Sequence, residues 1–65
     1  MSIEVQSITV HSTTHVEIAY TANGEKRTLA LEYDDAADFT DAISENPSAA
    51  DYYARLAIQH EETNA

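Results

Sequence analysis

Val16-Glu17-Ile18-Ala19-Tyr20-Thr21-Ala22-Asn23-Gly24-Glu25-Lys26-Arg27-Thr28-Leu29-Ala30-Leu31-Glu32-Tyr33 reads as a β-hairpin. Val16, Ile18 and Tyr20 alternate with polar or small residues, and so do Leu29, Leu31 and Tyr33. That period of two marks strands with one buried face. Asn-Gly is the preferred pair for a two-residue type I′ turn, because both central residues need φ > 0. With Ala22 opposite Glu25, Ile18 falls opposite Leu29 and Val16 opposite Leu31. The apolar pattern and the turn chemistry therefore select the same register.

Working outward toward the N-terminus, Ile3 and Val5 share one parity while Ile8 and Val10 share the other. One strand buries all four only if a bulge near Gln6-Ser7 resets the register. Ser12-Thr13-Thr14 then serves as a three-residue hairpin loop, setting Val10 beside Val16 and Ile8 beside Ile18. The expected sheet is an antiparallel meander with strands at about 3–11, 15–22 and 26–33. Its second face carries Ser7, Thr9, His11, His15, Glu17, Ala19, Thr28, Ala30 and Glu32.

After Tyr33 the period changes. Asp34 or Asp35 can cap a helix, at about 35–45, whose apolar positions Ala36, Phe39, Ala42 and Ile43 recur at helical spacing. Asp34, Asp38, Asp41 and Glu45 fall together on its opposite side. Asn46-Pro47 ends this helix, since a residue before proline is pushed out of the α region. The same pair opens a second helix at about 48–60, with Asn46 or Ser48 as cap and Ser48 to Asp51 as a capping box. Tyr52, Tyr53, Leu56 and His60 form its expected apolar stripe, and the chain is expected to fray from Glu61. The fold class is α+β, β-β-β-α-α, one small domain over residues 1–65 with both helices on one face of the sheet.

Composition narrows the function classes. A chain of 65 residues without cysteine has neither disulfides nor a thiolate metal site to stabilise it. No apolar run approaches the roughly 20 residues of a membrane span, and no basic-then-apolar leader opens the chain, so a soluble cytoplasmic protein is expected. The net charge of −9 disfavours nucleic acid and anionic membranes as direct ligands. Four acids against Lys26 and Arg27 leave residues 1–33 at −2, whereas eight acids against Arg55 leave residues 34–65 at −7. The Lys26-Arg27 pair serves to blunt the edge of the sheet.

Several constellations bear on chemistry. His11 and His15 would lie side by side on the polar sheet face, with Glu32 across from His15. Two imidazoles and a carboxylate are a zinc-ligand set with an open position for water. A bare three-stranded sheet gives them no cleft, so they read as solvated surface groups and no metal or cofactor is expected. No serine sits in a nucleophile-elbow or triad-like motif, and the single glycine rules out a phosphate-cradling loop. The chain therefore reads as a non-enzyme.

Two surfaces remain for partners. Adjacent helical residues point about 100° apart, so one sheet does not fully bury both Tyr52 and Tyr53; the pair reads either as one core ring and one half-exposed ring, or as supplying an interface tyrosine in a homodimer or against a partner. The row Asp34, Asp38, Asp41, Glu45 is spaced like a charge ladder, with neighbours roughly 5–6 Å apart. Such a row suits the basic, phosphate-binding groove of a nucleic-acid-binding partner, as in phage inhibitors of the anti-CRISPR or anti-restriction type. A solvated helix face has the same appearance, and an acid-rich composition also suits salt adaptation. The alternative is thus a small housekeeping or salt-adapted protein that self-associates through its second-helix tyrosines. Strands, an aromatic-bearing helix, then Ser48-x-Ala50-x-Tyr52-Tyr53 resemble the small KTSC domain, whose pattern runs serine, glycine, paired aromatics, asparagine. Here Ala50 stands at the glycine and Ala54 at the asparagine, and no function is carried across.

Overall fold

The computed structural model describes residues 2–64, the side chain of Asn64 excepted. Three antiparallel strands are followed by two helices: β1 (Ile3–Ser12), β2 (His15–Ala22), β3 (Glu25–Glu32), α1 (Asp34–Glu45), a 3₁₀ turn (Pro47–Ala49) and α2 (Ala50–Asn64). The sheet order is β1-β2-β3. This is the β-β-β-α-α architecture that the apolar patterning implies. Among the described residues no helix is long and apolar enough to cross a membrane.

The hairpin forms in the expected register, with Ala22 paired to Glu25, Ile18 to Leu29 and Val16 to Leu31. Asn23 and Gly24 both have positive φ, 54° and 85°, as a type I′ turn requires. Asn23 does more than turn the chain. Its backbone N–H donates to Ser2 O at 2.8 Å and its Oδ1 accepts from Ser2 N at 3.1 Å, tying the turn to the start of β1.

The register of β1 on β2 shifts between Val5 and Ser7, which is the bulge that the change of parity demands. Val5 pairs with Tyr20, Ile8 with Ile18 and Val10 with Val16, so all four apolar residues of β1 share a face. The adjoining loop differs from expectation. Ser12 pairs with His15, Thr13-Thr14 alone make the turn, and a second shift falls at His11. Ser12 Oγ accepts from Thr14 N at 3.2 Å, so a hydroxyl supplies the tight closure for which hairpins usually use glycine.

The core lies between the sheet and the helices and is built on Val16, Ile18, Tyr20, Leu29, Phe39, Ala54 and Ile58, all buried. α1 lies over β3 and β2, and α2 packs on β1. The far end of β1 extends past both helices, which leaves Val10 exposed although it faces the core side.

Helix boundaries and caps depart from the local reading. β3 ends at Glu32, and Tyr33 leaves the strand with φ of 53° and 74% of its surface exposed. Tyr33 itself is the N-cap of α1, so Asp34 and Asp35 fall in the first turn and neither caps through its side chain. The corner is held by backbone bonds: Tyr33 N–H donates to Thr14 O and Tyr33 O accepts from Ala37 N, both at 2.9 Å. Ser48 forms no capping box; its hydroxyl donates to Asn46 Oδ1 at 3.0 Å within the 3₁₀ turn.

The largest correction concerns α2. Its buried residues are Ala54 and Ile58, with Tyr53 and Ala57 partly covered, whereas Tyr52 is 60% and Leu56 45% exposed. The helix is rotated away from the stripe Tyr52, Tyr53, Leu56, His60. Small Ala54 allows close approach to the sheet, and Arg55, its Nε bonded to Asp51 Oδ2 of the same helix at 2.7 Å, ties α2 to β1 by donating from Nη1 to Ile3 O. The helix also continues to Asn64, beyond the point where fraying was expected.

Ile18 is fully buried, and Thr28 is exposed on the opposite side of the sheet. Ile18→Ala should cost about 2–5 kcal/mol, through lost transfer energy and the cavity left behind. Thr28→Ala should stay within about 0.5 kcal/mol of wild type. Equal losses in urea melts of the two variants would show that the strand faces are misassigned.

Candidate protein-binding face and adjoining cleft

α1 brings the row Asp34, Asp38, Asp41 and Glu45 to the surface as its helical spacing requires, and all four are exposed. Ala36 and Phe39, on the other side of the helix, are buried in the core. Asp35 is also exposed, which gives α1 five carboxylates. Among the described residues, none of the five makes an ion pair or side-chain hydrogen bond. The arginines are engaged elsewhere, Arg55 with Asp51 and Arg27 with Glu25 and Glu62. Among the described residues, the carboxylates of α1 are therefore uncompensated by a paired cation.

Beside this row is a cleft of about 380 Å³. Leu29 and Leu31 of β3 form its floor, α1 contributes Asp35, Asp38, Phe39 and Ala42, and α2 contributes Tyr53, Leu56, Ala57, His60 and Glu61. Asp38 belongs to both features, since it stands in the acidic row and on the margin of the cleft. Tyr52 and Tyr53 meet edge to face, with centroids 5.6 Å apart, so the half-buried ring supports the exposed one. The pair thus divides as adjacent helical positions must, with Tyr53 packed on the core and Tyr52 in solvent.

The cleft holds its shape because α2 is anchored at its far end. Lys26 and Arg27 are exposed on the edge strand β3, and Arg27 has a second role there. It pairs with Tyr20 across the hairpin, on the helix-covered side, and its Nη1 donates to both oxygens of Glu62 at 2.6 and 2.8 Å. Tyr20 donates its hydroxyl to Glu62 Oε1 at 3.1 Å. The Glu62 side chain is only 10% exposed, so this carboxylate is drawn out of water and satisfied by the sheet. No local pattern marks Glu62, whose partners lie 35 and 42 residues away. The available signal is that Ala54, Ile58 and Glu62 recur every four residues along one helix face.

On the bare face of the sheet, the imidazoles of His11 and His15 are 5.4 Å apart. The carboxylate beside them is not Glu32, although Glu32 does pair with His15 in the ladder. Glu17 Oε1 lies 3.2 Å from His11 Nε2 and 3.8 Å from His15 Nε2. His11 is the extra residue at the second register shift of β1 on β2, a shift that the simple three-residue loop does not contain. Among the described residues no group of three His, Asp or Glu side chains is arranged to hold a metal ion. A second concavity, of about 550 Å³, is lined by Gln6, Ala19, Tyr20, Thr21, Lys26, Arg27 and Thr28 and contains neither carboxylate nor imidazole.

No family model, curated protein or solved structure matches the chain. The likeness of Ser48 to Tyr53 to the KTSC pattern remains one of local sequence. In the structure those residues form the 3₁₀ turn and first turn of α2.

Burial raises the Tyr20 phenol above its ordinary value of 10.0, and the bond to the Glu62 carboxylate adds to the effect. Because the folded value is the higher one, neutral Tyr20 stabilises the fold below the ordinary phenol range. That contribution is lost as pH rises through the raised value. Thermal melts should show wild type above Tyr20→Phe near neutral pH and the gap closing in strong alkali. A gap independent of pH would mean that the hydroxyl contributes nothing through Glu62.

Proposed function

We propose that this chain is a cytoplasmic, non-enzymatic protein-binding module whose acidic α1 face engages a basic surface of a nucleic-acid-binding protein. The sharpest form of this reading is an inhibitor of the phage anti-CRISPR or anti-restriction type. The observation that carries the reading is the exposed row Asp34, Asp38, Asp41, Glu45, unpaired among the described residues. With Asp35, five carboxylates lie along a helix of 12 residues. At about 1.5 Å per residue that is a length of about 18 Å. One strand of a DNA duplex carries a phosphate per about 3.4 Å of axis, or about five over the same length. The charge density of α1 thus matches that of one nucleic-acid strand, and a groove built to bind phosphates would attract it.

The same charge argues for the class of partner. A net charge of −9 repels nucleic acid and a second copy of the chain alike, while a basic protein groove is attracted from a distance. Exposed Tyr52 favours the other reading, an interface led by tyrosine. The two readings differ in whether binding depends on salt and in the residues they need.

Asp38→Asn/Asp41→Asn keeps shape and helix while removing two charges. Against a partner recovered from the native host, the double variant should associate several-fold more slowly, with a smaller change in dissociation. Binding should weaken steeply with salt, because screening acts over about 8 Å near physiological ionic strength. A duplex oligonucleotide should compete. If the Asn pair binds as wild type does while Tyr52→Ala or Tyr53→Ala removes binding at any salt, charge mimicry is excluded and the tyrosine interface takes its place.

A further inference from the structure

α2 carries more apolar surface than its own sheet covers. Ala54 and Ile58 face the sheet, yet Tyr53, Leu56 and Ala57 form a second apolar strip, and Leu56 remains 45% exposed. This strip faces Phe39 and Ala42 of α1 across the cleft, above Leu29 and Leu31. In cross-section the cleft therefore runs from acid to apolar to acid. Asp35 and Asp38 stand on the α1 wall and Glu61 on the α2 wall, and none of these three carboxylates pairs with a described residue. At about 380 Å³ the space lies at the small end of ligand clefts, enough for one or two large side chains rather than an extended small molecule.

We infer that this cleft docks an amphipathic basic helix of the partner protein, with apolar side chains seated on Leu29, Leu31 and Leu56 and lysines or arginines paired to Asp35, Asp38 and Glu61. The inference rests on the reading of the chain as an acidic binding module and adds the partner's chemistry to it. An amphipathic helix carries polar residues along both flanks of its apolar stripe, which is the complement of an acid-apolar-acid trough. A second copy of this chain is a poor occupant: Arg27 and Arg55 are committed to Glu62 and Asp51, leaving Lys26 to answer three carboxylates. Nucleic acid is repelled by the same margins. A flat basic surface would satisfy the acidic row but would leave the apolar floor in water. Long-range attraction then comes from the α1 row, and selection among basic partners comes from the apolar anchors, since a few well-packed, desolvated side chains carry most interface energy.

Two synthetic peptides of equal charge test this. One has leucines at i, i+3, i+4 and i+7 and lysines at its other positions, and the second has serine at each leucine position. At physiological salt the leucine peptide should bind about tenfold tighter, the effect of filling one apolar anchor site, and should shift the NMR signals of Leu29, Leu31 and Leu56. Leu56→Glu gives an opposed sign. It adds negative charge, so binding by charge alone would strengthen, whereas binding in the cleft should weaken by about tenfold. Leu56 is exposed, so this variant keeps its fold, and an unchanged amide spectrum verifies that. Asp41→Asn/Glu45→Gln, outside the cleft, should weaken both peptides by a similar factor. Equal affinity for the two peptides, or tighter binding by Leu56→Glu, overturns the cleft while the acidic-face reading stands. Failure of both peptides to bind even at low salt overturns the two together. Concentration-dependent dimerisation that Leu56→Glu abolishes would assign the cleft to a second copy and overturn the basic helix.

Discussion

Val16, Ile18 and Tyr20 are buried on one face of β2, the strand paired on both sides, and every neighbouring element is placed by that fact. A slip of one residue would turn all three outward, so the register is set by the full cost of exposing them. β3 joins through a turn whose geometry admits only that register. β1 meets the same demand with apolar residues of two parities, and the bulge between Val5 and Ser7 reconciles them. A sheet that is apolar on one face must bury that face against another layer. The helices are thus required by the sheet, and α1 and α2 cover it from β3 and β1 respectively.

Covering the sheet does not consume all the apolar surface of the helices. α2 is oriented by polar contacts near both of its ends: Arg55 reaches the Ile3 carbonyl, and Glu62 is held by Arg27 and Tyr20. These contacts choose which stripe of the helix meets the sheet. Ala54 and Ile58 meet the sheet in place of Tyr52 and Leu56, because the anchors act at long range while helix patterning acts locally. Tyr53, Leu56 and His60 of the expected stripe line the cleft, and Tyr52 stays in solvent. The carboxylate of Glu62 leaves water in exchange for three charge-assisted or hydroxyl bonds, which suits a group needed for orientation rather than for surface charge.

Charge is distributed with the opposite logic on α1. Its carboxylates are exposed, and the two arginines pair with other residues. Solvation alone would be served equally by mixed charges that pair along the helix, which stabilise it by a few tenths of a kcal/mol per pair. α1 forgoes those pairs, and Asp38 joins the acidic row to the margin of an apolar cleft. The exposed carboxylates and the apolar cleft thereby meet on one side of the molecule.

The sequence by itself determined the hairpin, its turn, the bulge in β1, the element order and the exposed acidic row. Each of these follows from periodicity or turn chemistry within about twenty residues of chain, a range over which local sterics and face-matching decide the outcome. The partition of Tyr52 and Tyr53 into one covered and one exposed ring was legible for the same reason. Tertiary structure alone decided the rotation of α2, its extension to Asn64, the clamp at Glu62, the capping role of Tyr33 and the choice of Glu17 rather than Glu32 beside the histidines. All five depend on contacts or backbone corners fixed by packing. A residue's partner across 35 positions of chain leaves no trace in the spacing of its neighbours. The cleft is legible only after that rotation is known, because its wall is the stripe that patterning had assigned to the core.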